Sequence, residues 1–152
     1  LDSRLIVRDD GRWRATHDLS DLAVPDTLAG VITSRLDRLE DETKRVAQVA
    51  AVIGREFPSS LLGDLIAERE VLDRSLESLE RRELIRQVRG GNEHIYSFKH
   101  VLTQETVYAS ILHSQRRELH RLVAEGLERR RSGQPDAYLT ELAHHYYRAG
   151  IW

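Results

Sequence analysis

The stretch Leu84-Ile85-Arg86-Gln87-Val88-Arg89-Gly90-Gly91-Asn92-Glu93-His94-Ile95-Tyr96-Ser97-Phe98 decides the fold. Leu84 to Val88 reads as one strand. His94 to Phe98, alternating polar and apolar after Gly90-Gly91-Asn92, reads as its hairpin partner. Lys99-His100 then hands the chain to a helix predicted from Val101, Leu102, Tyr108, Ile111 and Leu112. His100 falls at the helix start, where free backbone N–H groups and the positive end of the macrodipole favour an anion and bias an imidazole toward its neutral form. A histidine that merely caps or packs is the alternative.

Upstream of the hairpin, the spacing predicts three helices. Asp41 opens one carrying Val46, Val49, Ala50 and Ile53, with Ala47, Ala51 and Val52 filling much of the remaining circumference, and Gly54 stops it. Phe57-Pro58-Ser59 restarts the chain into a short helix holding Leu61, Leu62, Leu65 and Ile66, and a third runs from about Glu70 with Val71, Leu72, Leu76 and Leu79 inward. Three helices followed by a two-stranded hairpin is the order of a winged helix-turn-helix, so the expected fold class is mostly α with small β-hairpins.

Further out, Arg4 to Thr16 reads as a hairpin with its turn at Asp9-Asp10-Gly11, and Val24-Pro25-Asp26 opens a helix with Asp26 as its cap and Leu28, Val31, Ile32, Leu36 and Leu39 on one face. Downstream, a helix from Ser114 to Arg131 carries Leu119, Leu122, Val123 and Leu127; Ser132-Gly133-Gln134-Pro135 breaks the chain. The last helix, Asp136 to Ala149, sets Leu139, Leu142, Ala143, Tyr146 and Ala149 in the small-and-aromatic pattern of an α-hairpin repeat of TPR-like kind.

The 152 residues hold no cysteine, which excludes a disulfide framework and thiolate chemistry, and no methionine, so a chain opening on Leu1-Asp2-Ser3 reads as a segment of a larger protein. Net charge is −2 with 32% charged residues, a mixture without the global field of a nucleic-acid or membrane binder. The longest strongly apolar run, Val46 to Ile53, is far short of the roughly 20 residues that span a bilayer. A cytoplasmic location and no membrane partner are expected.

DNA binding is the rival that a winged helix invites, but Glu68 to Glu83 sets six acids against four arginines, and phosphate repels such a helix. The basic run Arg129-Arg130-Arg131 shares its helix with Glu118, Glu125 and Glu128 and reads as a solvated face. His113 and His120, seven apart, need a third ligand from elsewhere to hold a metal, and Glu141-Leu142-Ala143-His144 lacks the second copy that a di-iron bundle needs; no metal is expected, and His144, His145, Tyr146 and Tyr147 read as packing residues. Ser59, Ser60, Ser97 and Ser110 lie in no nucleophile elbow and no Walker-type glycine loop occurs, so these residues carry no catalytic machinery of their own.

Val24-Pro25-Asp26-Thr27-Leu28, Arg35-Leu36-Asp37-Arg38-Leu39, Ala50-Ala51-Val52-Ile53-Gly54-Arg55-Glu56-Phe57 and Phe98-Lys99-His100 together resemble the region after the ATPase in signal-transduction ATPases with numerous domains, especially the bacterial kind attached to class III adenylate or guanylate cyclases and LuxR-type regulators. The resemblance implies that residues 1–40 end a helical lid, 41–112 form a winged-helix domain and 113–152 start a helical-repeat array. It implies a P-loop ATPase domain earlier in the same chain and helical repeats after it as partners, possible further protein partners, and ATP or ADP held by the parent, with no cofactor in these residues. The family's winged helix often carries Met-His-Asp, whose histidine contacts the ADP β-phosphate. Lys99-His100-Val101 matches at the histidine, which makes His100, with Lys99, the implied phosphate contact. The implied activity is regulatory: the winged helix docks on the nucleotide-binding domain and senses its ADP or ATP state, or, alternatively, serves as a scaffold between ATPase and repeats.

Overall fold

The structure is a computed structural model that describes residues 6–9, 12–15, 24–89, 91–130 and 138–151, with side chains at 28–88, 91–130 and 138–151. The chain is mostly helical, with a small three-stranded antiparallel sheet in its middle.

Strands β1 (Ile6–Asp9) and β2 (Arg12–Ala15) pair antiparallel with Asp9 opposite Arg12, the hairpin expected there; its turn at Asp10-Gly11 lies outside the described residues. Helix α1 (Val24–Asp37) begins two residues before Asp26, so Pro25 and Asp26 lie in the first turn instead of capping it. Proline suits that position, because its missing N–H is one that the first turn leaves unpaired anyway. Of the face expected on α1, Leu36 and Leu39 are buried and Ile32 packs on the core, while Leu28 and Val31 are exposed.

Helix α2 (Asp41–Ile53) is the centre of the molecule: Val46, Ala47, Val49, Ala50, Ala51 and Val52 are all buried, as an apolar circumference requires. Gly54 ends it at φ 149°, a conformation open to glycine, with its N–H donating to the Ala50 carbonyl. Glu56–Pro58 forms a strand, β3, where the sequence suggests only a restart into a helix. The strand is three residues long and lies at the sheet edge, where Pro58 costs no ladder bond, and it is held by burial of Phe57 opposite Tyr96.

Helices α3 (Ser59–Leu65) and α4 (Arg69–Arg81) follow, burying Leu61 and Leu62 in the first and Leu72, Ser75, Leu76 and Leu79 in the second. A turn with Glu83 at φ 58° joins α4 to β4 (Ile85–Arg89): the Glu83 and Leu84 N–H groups donate to the Glu80 and Leu79 carbonyls, closing a Schellman end with Leu84 and Leu79 both buried. Strand β5 (Ile95–Phe98) lies between β3 and β4, and Phe57 and Phe98 meet at 5.4 Å between ring centroids.

Helix α5 (Val101–Ala109) ends three residues before the expected Leu112. The Ser110 hydroxyl donates to the Val107 carbonyl at 2.6 Å and the Arg116 guanidinium takes the carbonyls of Ala109 and Ile111, which stops the helical ladder. The inward side chains are Thr103, Val107 and Ile111, whereas Val101 and Leu112 are exposed. Helix α6 (His113–Arg130) lies against α2 and α3 through Val123, Ala124 and Leu127, and Gly126 permits a close approach, since a Cβ there would stand 3.2 Å from Leu61 Cδ1. Helix α7 (Leu139–Ala149) packs along α6 and buries Leu142, His145 and Ala149; Ala143 and Leu139, expected on that stripe, are exposed. The break at 132–135 and the expected helix start at Asp136 lie outside the described residues. No helix among the described residues is long and apolar enough to cross a membrane.

Candidate functional site

The junction of β5 and α5 has the geometry that the sequence suggests. His100 is extended (φ −131°, ψ 144°) at the N-cap of α5, exposed, with no side-chain cap bond; its carbonyl accepts from Thr103 N–H at 3.0 Å. Lys99 is half-buried and turns the other way. Its backbone N–H donates to the Leu84 carbonyl and its Nζ lies 3.6 Å from Glu83 Oε1, an ion pair with the end of α4. His100 therefore offers a free imidazole beside a helix start, and Lys99 would have to leave Glu83 to join it.

A second constellation lies where α5, α6 and α7 converge. Tyr108 projects from the last turn of α5, His120 from the middle of α6, and His144 and His145 from α7. His120 and His145 are 2% and 3% exposed; His144 is on the surface. Tyr108 Oη stands 2.9 Å from His120 Nε2, and His120 Nδ1 stands 2.8 Å from His145 Nδ1. The His144 ring meets both others edge-on, at 5.8 Å from His120 and 5.1 Å from His145.

Each ring nitrogen of a neutral imidazole either donates or accepts, so these two bonds admit two polarities. In one, the tyrosine hydroxyl donates to Nε2 of His120, whose Nδ1–H donates to His145 Nδ1. In the other, every proton moves one step: His145 Nδ1–H donates to His120 Nδ1, and His120 Nε2–H donates to the tyrosine oxygen. Burial, with His144, Arg148 and Arg116 nearby, pushes the His120 imidazole down to about 4, and burial with His120 and His144 pushes His145 down to about 3. Both rings are neutral at neutral pH.

The surroundings hold this arrangement in place. The Arg116 guanidinium lies 4.9 Å from the Tyr108 ring centroid while its Nε donates to the Ile111 carbonyl at 2.8 Å. Arg117 Nε donates to the Ala149 carbonyl at the end of α7, and the Tyr146 hydroxyl donates to Glu128, which pushes the phenol up to about 12. On the outer side, a cavity of about 210 Å³ is lined by Ile53, Gly54, Gln104, Tyr108, His120, His144 and Arg148. Gln104 is fixed there by donating to the Ala51 carbonyl at 2.8 Å.

His120 therefore meets His144 and His145, not His113, which is exposed. Glu141 is exposed and stands outside the converging group. The basic run corrects another expectation: Arg130 is not a solvated cation but binds Asp64, Glu93 and the Ser60 hydroxyl, tying the end of α6 to α3 and to the β4–β5 connection. The histidine group joins positions 12 to 37 residues apart from Tyr108 onward, which no local motif records. The trace it leaves in sequence is His145 standing between Leu142 and Ala149 on the buried stripe of α7.

No protein-family model matches the chain. It is similar to an uncharacterized protein of Rhizobium meliloti (strain 1021), at 30% identity over 141 residues that make up 90% of this chain and 14% of that protein. The chain thus spans 14% of the length of the relative it matches.

Proposed function

We propose that residues 41–112 are a winged-helix domain that docks on a P-loop ATPase domain of the same polypeptide and responds to its ADP or ATP state, with residues 1–40 closing the ATPase lid and residues 113–152 opening a helical-repeat array in a cytoplasmic signalling protein. The observation that supports this most is connectivity: helix, strand, helix, helix, strand, strand, with the last strand between the other two. That is the chain path of a winged helix. The similarity to a small part of a much longer protein is compatible with a regulatory segment among other domains.

Surface charge favours a protein partner over DNA. On α4, which would enter the major groove, Glu70, Asp73, Glu77 and Glu80 are exposed against Arg69, Arg74 and Arg81, and phosphates would be repelled. At the junction, exposed His100 adjoins exposed Val101, a combination suited to a nucleotide edge approached together with apolar protein surface. In this reading His100 donates a charge-assisted bond to the ADP phosphate and holds the docked state; ATP rearranges that contact and releases the arm.

The test is nucleotide exchange in the full-length protein carrying the ATPase. His100→Ala should speed release of a fluorescent ADP roughly 10- to 100-fold, the worth of a hydrogen bond to a charged group. Unchanged exchange would remove His100 from the mechanism and favour the second reading, a rigid scaffold between ATPase and repeats. That reading draws support from the packing of α6 on α2 and α3 and from the Arg130 ion pairs.

A further inference from the structure

We propose that His120, His144 and His145 bind one divalent transition-metal ion of the zinc class, with a fourth coordination position open to the cavity beside Gln104 and Arg148. Among the described residues the ring nitrogens of these three histidines, one from each, lie within 4.8 Å of one another. Imidazole is the preferred nitrogen ligand for zinc, copper, cobalt and nickel, and three protein ligands with one open position make a metal site that remains reactive or exchangeable.

The geometry needs small adjustments. A tetrahedral ion with Zn–N bonds of ~2.0–2.1 Å sets its ligand atoms ~3.3 Å apart. The His120 and His145 Nδ1 atoms point at one another at 2.8 Å, so an ion beside that line would displace their hydrogen bond, part them by about half an ångström and turn both rings until their lone pairs converge on it. His144 is the exposed member and closes the remaining distance by side-chain rotation, without moving the helix.

Tyr108 supplies an independent indication. A metal-bound imidazole is normally oriented by a hydrogen bond from its other nitrogen. With His120 bound through Nδ1, its Nε2–H donates to Tyr108 Oη, 2.9 Å away, and Arg116 over the Tyr108 ring keeps that oxygen in place. Metal binding keeps the Tyr108–His120 bond of the second polarity and moves the His145 proton from Nδ1 to Nε2.

The charged neighbours define the fourth ligand. Arg148 lines the cavity and Arg116 is near enough to act on His120, while the ligand set itself is neutral. A dication among three neutral rings and two guanidinium groups favours an anion at the open position, hydroxide or a carboxylate, over neutral water. Gln104, held by the Ala51 carbonyl, borders the same opening.

The test uses the full chain, stripped with a chelator and titrated with Zn²⁺ alone, with bound metal measured by elemental analysis after dialysis and affinity by calorimetry. One zinc per chain is expected. His144→Ala, an exposed change that leaves the fold intact, should weaken binding at least tenfold, and His144→Cys should restore it, because thiolate is an equally good zinc ligand. Co²⁺ in the same site should give the intense visible bands of a four- or five-coordinate ion. His113→Ala should leave zinc binding unchanged. The proposal is overturned by the absence of retained zinc, by unaltered binding in His144→Ala, by a loss in His113→Ala as large as in His144→Ala, or by the pale spectrum of octahedral cobalt.

Discussion

His100 and His120 are the same residue type on neighbouring helices, and the fold treats them in opposite ways. His100 stands in solvent at the start of α5 with no side-chain cap bond, on a backbone turning from strand to helix. His120 is sealed between α6 and α7 with both ring nitrogens engaged. Burying an imidazole is unfavourable unless each nitrogen finds a partner, so the protein invests Tyr108 and His145 in keeping His120 there. An exposed histidine needs no such support, because water satisfies its ring nitrogens. The two regions thus separate a histidine with no side-chain cap bond from one whose two ring nitrogens are both engaged by neighbouring side chains.

The largest effect should come from removing the buried member. His120→Ala leaves a void beside Val123 and Ala124 and strands Tyr108 and His145 without their shared partner. Urea unfolding should register a loss of roughly 2–4 kcal/mol, against less than about 0.5 kcal/mol for His100→Ala. Equal losses at the two positions would erase the distinction.

Acid should find the same difference without mutation. An unfolded histidine titrates near 6.5, whereas His120 and His145 are held down to about 4 and about 3 in the fold. Below pH 6.5 the unfolded chain takes up protons that the native rings refuse, so stability is full above that pH and declines as the pH falls toward 4. Between pH 7 and pH 5, in chelator, the loss should be on the order of 2–4 kcal/mol. His100→Ala should retain the whole slope and His120→Ala should lose much of it. A urea midpoint that is flat from pH 7 to pH 5 would show that the rings are not held neutral.

The contrast also explains what is legible in the sequence. Helices α4 and α6 bury one face each, and burial of a face writes the 3.6-residue period directly into the chain, while α2, buried nearly all round, shows as an apolar run. The β4–β5 hairpin and the helix start at Val101 leave local signals too, which is why the His100 junction stands out. Strand β3 leaves none, because three residues are too few to alternate and its Pro58 argues against a strand. Val107 and Thr103 are missed as the inward side of α5 since the early end at Ala109, set by Arg116, turns Leu112 outward. The histidine cluster is invisible for a further reason: it exists only after α6 and α7 pack, and polar residues on a buried stripe look like interruptions of it.

The smallest effect lies back at the junction, where Lys99 is occupied by Glu83. Glu83 occupies the left-handed position that ends α4, at φ 58°, where glycine avoids the contact between Cβ and carbonyl; the same Schellman end on α7 uses Gly150 at φ 77°. Glu83→Gly and Glu83→Ala both remove the ion pair, which at this exposure is worth at most about 1 kcal/mol, but only the glycine relieves the backbone. The glycine variant should therefore be more stable than the alanine variant by roughly 1 kcal/mol in urea unfolding, with wild type between them or level with the glycine. In both, Lys99 is released to turn toward His100. Identical stability in the two variants would mean that Glu83 bears no backbone strain and that its carboxylate, by holding Lys99, is the whole of its contribution.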